Sequence, residues 1–160
     1  MGDVLYIVVP CYNEEAVLPE TQKELSNKLE TMITAGAVSE KSRIIFVDDG
    51  SKDKTWELIE KYHSENPRIG GVKLAHNRGH QFAVLAGLMT VKDLCDMAIT
   101  MDADLQDDID VVDKFVEKYK EGCEVVYGVR NSRATDTFFK KNDCRRILQD
   151  HAGDGSRHRI

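Results

Sequence analysis

No run of apolar residues in this 160-residue chain approaches the ~20 that a membrane-spanning helix requires. The stretch ahead of the first apolar strand is too short for a secretory leader. The four cysteines, Cys11, Cys95, Cys123 and Cys144, form no Cys-x-x-Cys pair, and no histidine cluster stands at zinc-ligand spacing. A zinc-stapled or disulfide framework is thereby disfavoured, and reduced cysteines in a cytoplasmic protein are expected. A basic excess is lacking as well. Lys and Arg number 22 against 28 Asp and Glu, a formal net charge of −6, which argues against a general nucleic-acid surface. No Gly-x-Gly-x-x-Gly follows the first apolar strand, so a dinucleotide-dependent dehydrogenase finds no support. There is no internal repeat and no low-complexity segment.

What remains is a chain of one-domain length with 41% apolar residues, enough for a core. Short β-branched runs alternate with helical patterns. Strands are predicted over Val4–Pro10, Arg43–Val47, Val72–Ala75, Met97–Met101 and Glu124–Val129. Helices are predicted from about Glu15 to Gly36, then over Thr55–Tyr62, His80–Val91 and Ile109–Tyr119. In the first of these, Leu18, Leu25, Leu29, Met32 and Ile33 share a face. Asn66-Pro67 should stop the second, because a residue before proline avoids the helical region. Five strands alternating with four helices predict an α/β architecture with a mostly parallel sheet and flanking helices.

Ligands of such sheets bind beyond the carboxyl ends of the strands. The segments there are PCYNE, DDGS, HNRG, DADLQDD and RNSR, all polar or charged. Around Asn13 and Glu14, a helix cap with a favourable acidic first turn is a sufficient reading. Asp48-Asp49-Gly50-Ser51 suits an Asp-Gly turn equally well as an acidic group beside a nucleoside, whose imide N–H or ribose hydroxyls a carboxylate accepts. Asp102 and Asp104, two apart on an extended segment, point the same way and repel unless a cation lies between them. Mg²⁺ or Mn²⁺ would serve, completing its shell with phosphate oxygens and water. Ala83 and Ala86 read as packing residues. Arg130 and Arg133 are positioned to hold phosphate bidentately or to lie in solvent.

In order and placement, VVPCYNE, VDDGSKDKT, NRGHQFAVLAG, MDADLQDD and YGVRNSR resemble the family 2 glycosyltransferases of GT-A (Rossmann-like) fold. Within them the chain looks most like the polyprenyl-phosphate branch, the dolichol-phosphate mannose synthases and bactoprenol glucosyltransferases. The resemblance runs from about Val4 to Lys140, the N-terminal part of such a domain. It implies an inverting transfer of sugar from a UDP- or GDP-linked donor to an acceptor, a polyprenyl phosphate in that branch. It also implies roles for individual residues. Pro10, Tyr12 and Glu14 would line the nucleotide pocket, and Asp49 would contact the base with Asp48 beside it. Asp102 and Asp104 would hold the metal and the diphosphate, Gln106 would be a further ligand, and Arg130 would sit near the phosphates. Ile109 replaces the usual proline after LQDD, a change that should leave the metal site alone.

The resemblance ends near Lys141. Residues 1–140 are therefore expected to form an incomplete nucleotide-sugar-binding domain, and 141–160 a disordered, non-native tail without periodicity. Lys140-Lys141-Asn142 can be encoded by an uninterrupted adenine run, which makes a frameshift one expected origin of that tail. The catalytic base and acceptor site would then lie outside the chain, leaving it inactive, and apolar surface left bare would favour a homodimer. The parent enzyme is expected at the cytoplasmic face of a membrane. A nucleotide-binding module without catalysis, or a polysaccharide- or protein-directed transferase of the same fold, are the rival readings.

Overall fold

The computed structural model describes residues 2–104 and 108–128. The chain divides after Lys114 into two units, Met1–Lys114 and Phe115–Ile160. The elements follow in the order β1 (Leu5–Cys11), α1 (Leu18–Thr34), β2 (Arg43–Asp48), α2 (Thr55–Glu65), β3 (Ile69–Lys73), α3 (His80–Val91), β4 (Met97–Thr100) and α4 (Val111–Lys120). The four strands form one sheet in the order β3-β2-β1-β4, and every pair is parallel. The α/β expectation is met.

β1 and β2 occupy the middle of the sheet and are buried along most of their length, as their uninterrupted β-branched runs require. Two helices cover one face and one covers the other. Gly71 lies against Ile59 and Trp56 of α2, while the next residue, Val72, packs with the cluster of Val8, Val47, Ala83 and Val91 under α3. Successive strand residues face opposite sides, so α2 and α3 lie on opposite faces. α1 packs beside α2, burying Leu18, Leu25, Leu29 and Met32 along the predicted stripe.

Element bounds shift from the sequence reading, most at the start of α1, in β3 and at the end of α2. α1 starts at Leu18 rather than Glu15, because residues 15–17 form turns in which Val17 and Leu18 donate to the Glu14 carbonyl at 3.1 and 2.9 Å. Val17 stands at the cap position with no side-chain cap, so Asn13 does not cap this helix. β3 runs over Ile69–Lys73 instead of Val72–Ala75. Two glycines make a poor strand signal. Here their missing side chains are replaced by neighbours: an added Cβ would meet Ile45 Cδ1 at 2.7 Å from Gly70, and Ile59 Cγ2 at 2.7 Å from Gly71.

The fifth strand expected at Glu124–Val129 is a correction. Residues 124–128 pair with no strand among the described residues, and Val125 and Tyr127 are exposed. An apolar alternation makes a strand only where a ladder partner and a covering layer meet it. Val129 lies outside the described residues. α2 runs to Glu65, three residues past the expected Tyr62, and stops at Asn66 ahead of Pro67 as expected, with Asn66 extended and its amide donating to the Tyr62 carbonyl at 2.8 Å.

Candidate functional site

The strand order fixes where a ligand would bind. From β1 the chain moves outward to β2 and β3, then returns to place β4 on the other side of β1. The order therefore reverses between β1 and β4, and the crevice of a doubly wound sheet opens at the carboxyl ends of those two strands.

Pro10 sits in that opening. The Val8 carbonyl accepts from Met101 N at 3.0 Å, so Val8 faces β4, and Pro10, two residues on, faces the same way. The β1–β4 ladder ends at Val8 and Thr100, so no amide is needed from residue 10, and proline fits where an N–H would have no strand partner. Pro10 itself is buried, and Tyr12 beyond it is 40% exposed.

Past β4 the alternation continues. Met101 and Ala103 are buried while Asp102 and Asp104 are both exposed. The buried Thr21 hydroxyl of α1 reaches the Ala103 carbonyl between them, tying this segment to the core. Lys28 of α1 makes ion pairs with Asp110 (2.7 Å) and Asp113 farther along. Gln106 and Arg130 lie outside the described residues.

Glu14 responds to this acidity. Its carboxyl is pushed above its ordinary value of 4.5, first by burial, then by the charges of Asp104 and Asp53. The acidic side chains of the first and fourth strand ends therefore share one field. The native state holds this proton more tightly than the unfolded chain does. The associated stability is present below the ordinary value and lost as pH rises through the raised one. Asp104→Asn is expected to bring Glu14 only part of the way back, because burial is the larger cause. A carboxyl-carbon NMR titration checks this, and an unmoved Glu14 titration would separate the two groups.

The end of β2 contributes two buried aspartates with different partners. Asp48 Oδ1 accepts from Ser51 N at 3.0 Å, whereas its Oδ2 is buried with no hydrogen-bond partner. Asp49 lies 2% exposed, and both its oxygens are engaged by backbone amides ahead of α3: Arg78 N at 2.7 Å and Gly79 N at 2.8 Å. A carboxylate at a helix N-terminus satisfies amides that the helix leaves open and complements its dipole. Each oxygen keeps a second lone pair.

Several residues make contacts that the sequence reading did not give them. Asn13 adopts a left-handed φ of 54°, a conformation asparagine tolerates. Its amide donates to Ser51 Oγ at 2.9 Å, and its Oδ1 accepts from Lys52 N at 2.9 Å. Glu14 N donates to Thr55 Oγ1 (2.8 Å), Glu15 N to Asp53 Oδ2 (3.1 Å), and Lys54 N to Glu15 Oε2 (2.9 Å). The loops after β1 and β2 are thus clasped along their length. The clue was the density of Asn, Asp, Ser and Thr in both loops, which hydrogen-bond local backbone readily. His80, the first residue of α3, brings Nε2 to 3.8 Å from Asp102 Oδ1, an ion pair when the ring is protonated.

Asp102, Asp104 and Glu14 are oxygen donors of the kind hard divalent cations take, and Asp102 and Asp104 are accessible. Among the described residues, no group of three His, Cys, Asp or Glu side chains is already arranged to hold a metal.

The sequence matches the family described as Glycosyl transferase family 2 over residues 6–157. It is 55% identical over 138 residues to the Bacillus subtilis protein named uncharacterized glycosyltransferase YkoT, covering 86% of this chain and 41% of that protein. It is 36% identical over 144 residues to undecaprenyl-phosphate 4-deoxy-4-formamido-L-arabinose transferase of Aeromonas hydrophila, covering 88% and 41%. The chain thus spans about two-fifths of the length of these relatives. Among solved structures it resembles the Pyrobaculum calidifontis mannosyltransferase PcManGT in complex with GDP-Man and Mn²⁺, with TM-score 0.55, 22% identity, and coverage of 73% of this chain and 32% of that one. It also resembles S. aureus TarS 1-349 in complex with UDP-GlcNAc, with TM-score 0.53, 22% identity, and coverage of 84% and 37%. The parallel sheet has the GT-A form of these neighbours, and the chain belongs to glycosyl transferase family 2.

Proposed function

We propose that this chain forms the donor-binding part of an inverting glycosyltransferase that moves a sugar from a nucleotide diphosphate sugar to a polyprenyl phosphate. The observation that carries the donor site is the pair Asp102 and Asp104, both exposed past β4 beside the reversal of strand order, with the charge of Asp104 felt by Glu14. Tyr12, Glu14 and Pro10 would form the β1 wall of the nucleotide pocket. Asp48 and Asp49 would form its floor, with Asp49 holding the turn ahead of α3 as it does so. Arg130 would approach the phosphates. The neighbours bound to GDP-Man with Mn²⁺ and to UDP-GlcNAc support a nucleotide-sugar donor. The Aeromonas relative, named as an undecaprenyl-phosphate transferase, supports the lipid-linked acceptor.

Mg²⁺ or Mn²⁺ would be held by Asp102 and Asp104, with Gln106 as a further ligand. When bound, such an ion stabilises negative charge on a leaving nucleotide diphosphate. The chain's own residues supply the rest. Asp102 and Asp104 aim their oxygens outward, Thr21 anchors the segment between them, and the clasped loops fix the nucleotide wall. The group that deprotonates the acceptor is assigned to polypeptide that the longer relatives carry outside the matched stretch. The chain alone is therefore expected to bind donor without transferring sugar.

Thermal shift tests the reading with UDP, GDP and CMP, each with and without Mn²⁺, beside Asp104→Ala. A ligand at 100 times its Kd adds about 2.7 kcal/mol. A rise with one nucleotide, dependent on metal and lost in the variant, is expected. No shift with any nucleotide would remove the donor site from this chain.

A further inference from the structure

The twelve residues of α3, HQFAVLAGLMTV, include no Asp, Glu, Lys or Arg. Ala83, Gly87 and Val91 are buried against the sheet. On the outward side, Phe82 is 63% exposed, Leu85 52% and Met89 55%. At 100° per residue these three fall within a sector of about 60°. Leu94, just past the helix, is 58% exposed as well. The exposed positions of α1 and α2 are different in kind: Glu20, Lys23, Asn27 and Glu30 on the first, Glu57, Glu60, Lys61 and Glu65 on the second. Apolar residues thus line both the buried and the outward side of α3, with polar His80, Gln81 and Thr90 exposed near its ends, and an outward apolar stripe of this kind is one that other polypeptide covers.

The sheet beneath repeats the asymmetry. α3 packs chiefly on β1 and β2. In β4, Met97 and Ile99 are buried, but Ala98 and Thr100 are exposed. Ala98 pairs with Tyr6, which packs in the cluster under α3, so this bare stretch lies on the α3 face. Outer helix stripe and uncovered sheet edge therefore belong to the same side of the first unit.

We infer that this side is a docking surface for the polypeptide that the longer family members carry outside the matched stretch, contributed as an apolar layer over Phe82, Leu85 and Met89. The relatives supply the occupant: this chain covers 84–88% of itself in matching them but only 39–41% of their length, so more than half of each lies elsewhere. A second copy of this chain offers less. Among its described helices α3 alone lacks Asp, Glu, Lys and Arg, and the others present charge. The inference rests on burial and composition, not on the donor site.

The test places the matched stretch of this chain into the full-length Bacillus relative in exchange for its own and compares that chimera with the 160-residue chain. Peroxide oxidation of Met89, read by mass spectrometry, is expected to be at least roughly tenfold slower in the chimera, since exposure governs thioether oxidation. Leu85→Glu is expected to leave the Tm of the chain alone within about 2 °C and to lower that of the chimera by several degrees. Equal oxidation in the two contexts would overturn the inference. So would equal sensitivity to Leu85→Glu, or a dimer of the chain alone that protects Met89 and is dissociated by Leu85→Glu. Flotation of the chain with phosphatidylglycerol vesicles, lost in Leu85→Glu, would assign the surface to lipid and overturn it as well.

Discussion

Gly87→Ala is expected to lower the melting temperature by roughly 2–8 °C, although alanine is the better helix former. Gly87 lies in the middle of α3, where glycine ordinarily costs about 1 kcal/mol relative to alanine. An added Cβ would stand 2.4 Å from Val8 Cγ1 and 2.8 Å from Val47 Cγ2. Both valines are fully buried in the two central strands, and their β-branched side chains have few rotamers to retreat into. α3 would have to move off the sheet, and overpacking of this kind costs about 1–3 kcal/mol or more. The clash outweighs the propensity gain. Gly87→Leu is expected to abolish cooperative unfolding. Scanning calorimetry decides: a raised Tm for Gly87→Ala would mean that α3 can rise from β1 and β2 without loss.

Asp49→Ala is expected to cost about 2–4 kcal/mol, read as a lower urea midpoint with an unchanged slope. The loss is of two acceptors at once. Arg78 N and Gly79 N, both part-buried, would be left without partners, and the first turn of α3 would lose its complementary charge. Asp49→Asn should fall between, since one oxygen becomes an N–H group facing an N–H. The consequence also reaches Asp102, because His80 follows Gly79 directly and stands 3.8 Å from that carboxylate. If the midpoint of Asp49→Ala were that of the parent, Asp49 would be a ligand contact alone.

The sheet was legible because its central strands need only be apolar, and VLYIVVP and RIIFV are little else. The α1 stripe was legible for the same reason, since burial repeats every three or four residues. Local patterns failed where tertiary partners decide. Gly70 and Gly71 form a strand because Ile45 and Ile59 fill the space beside them, and no window around residue 70 contains either side chain. Residues 124–128 had the right composition for a strand but no ladder among the described residues. At the site, the exposure of Asp102 and Asp104 just past β4 agrees with their charge, although residues 103–104 form a turn rather than the extended segment expected. The engagement of Asp49 by amides almost thirty residues later could not be read, because backbone donors leave no mark in the sequence. His80 was hidden likewise, since its nearness to Asp102 arises only when β4 crosses to the far side of β1.

The clasp between residues 13–15 and 51–55 has a thermodynamic corollary. Five hydrogen bonds, through the amides of Asn13, Glu14, Glu15, Lys52 and Lys54, cross from one loop to the other before any donor arrives. The disorder of these loops is surrendered during folding and does not have to be surrendered again on association. Binding at this wall should then lack the large unfavourable entropy of a loop that orders around its ligand.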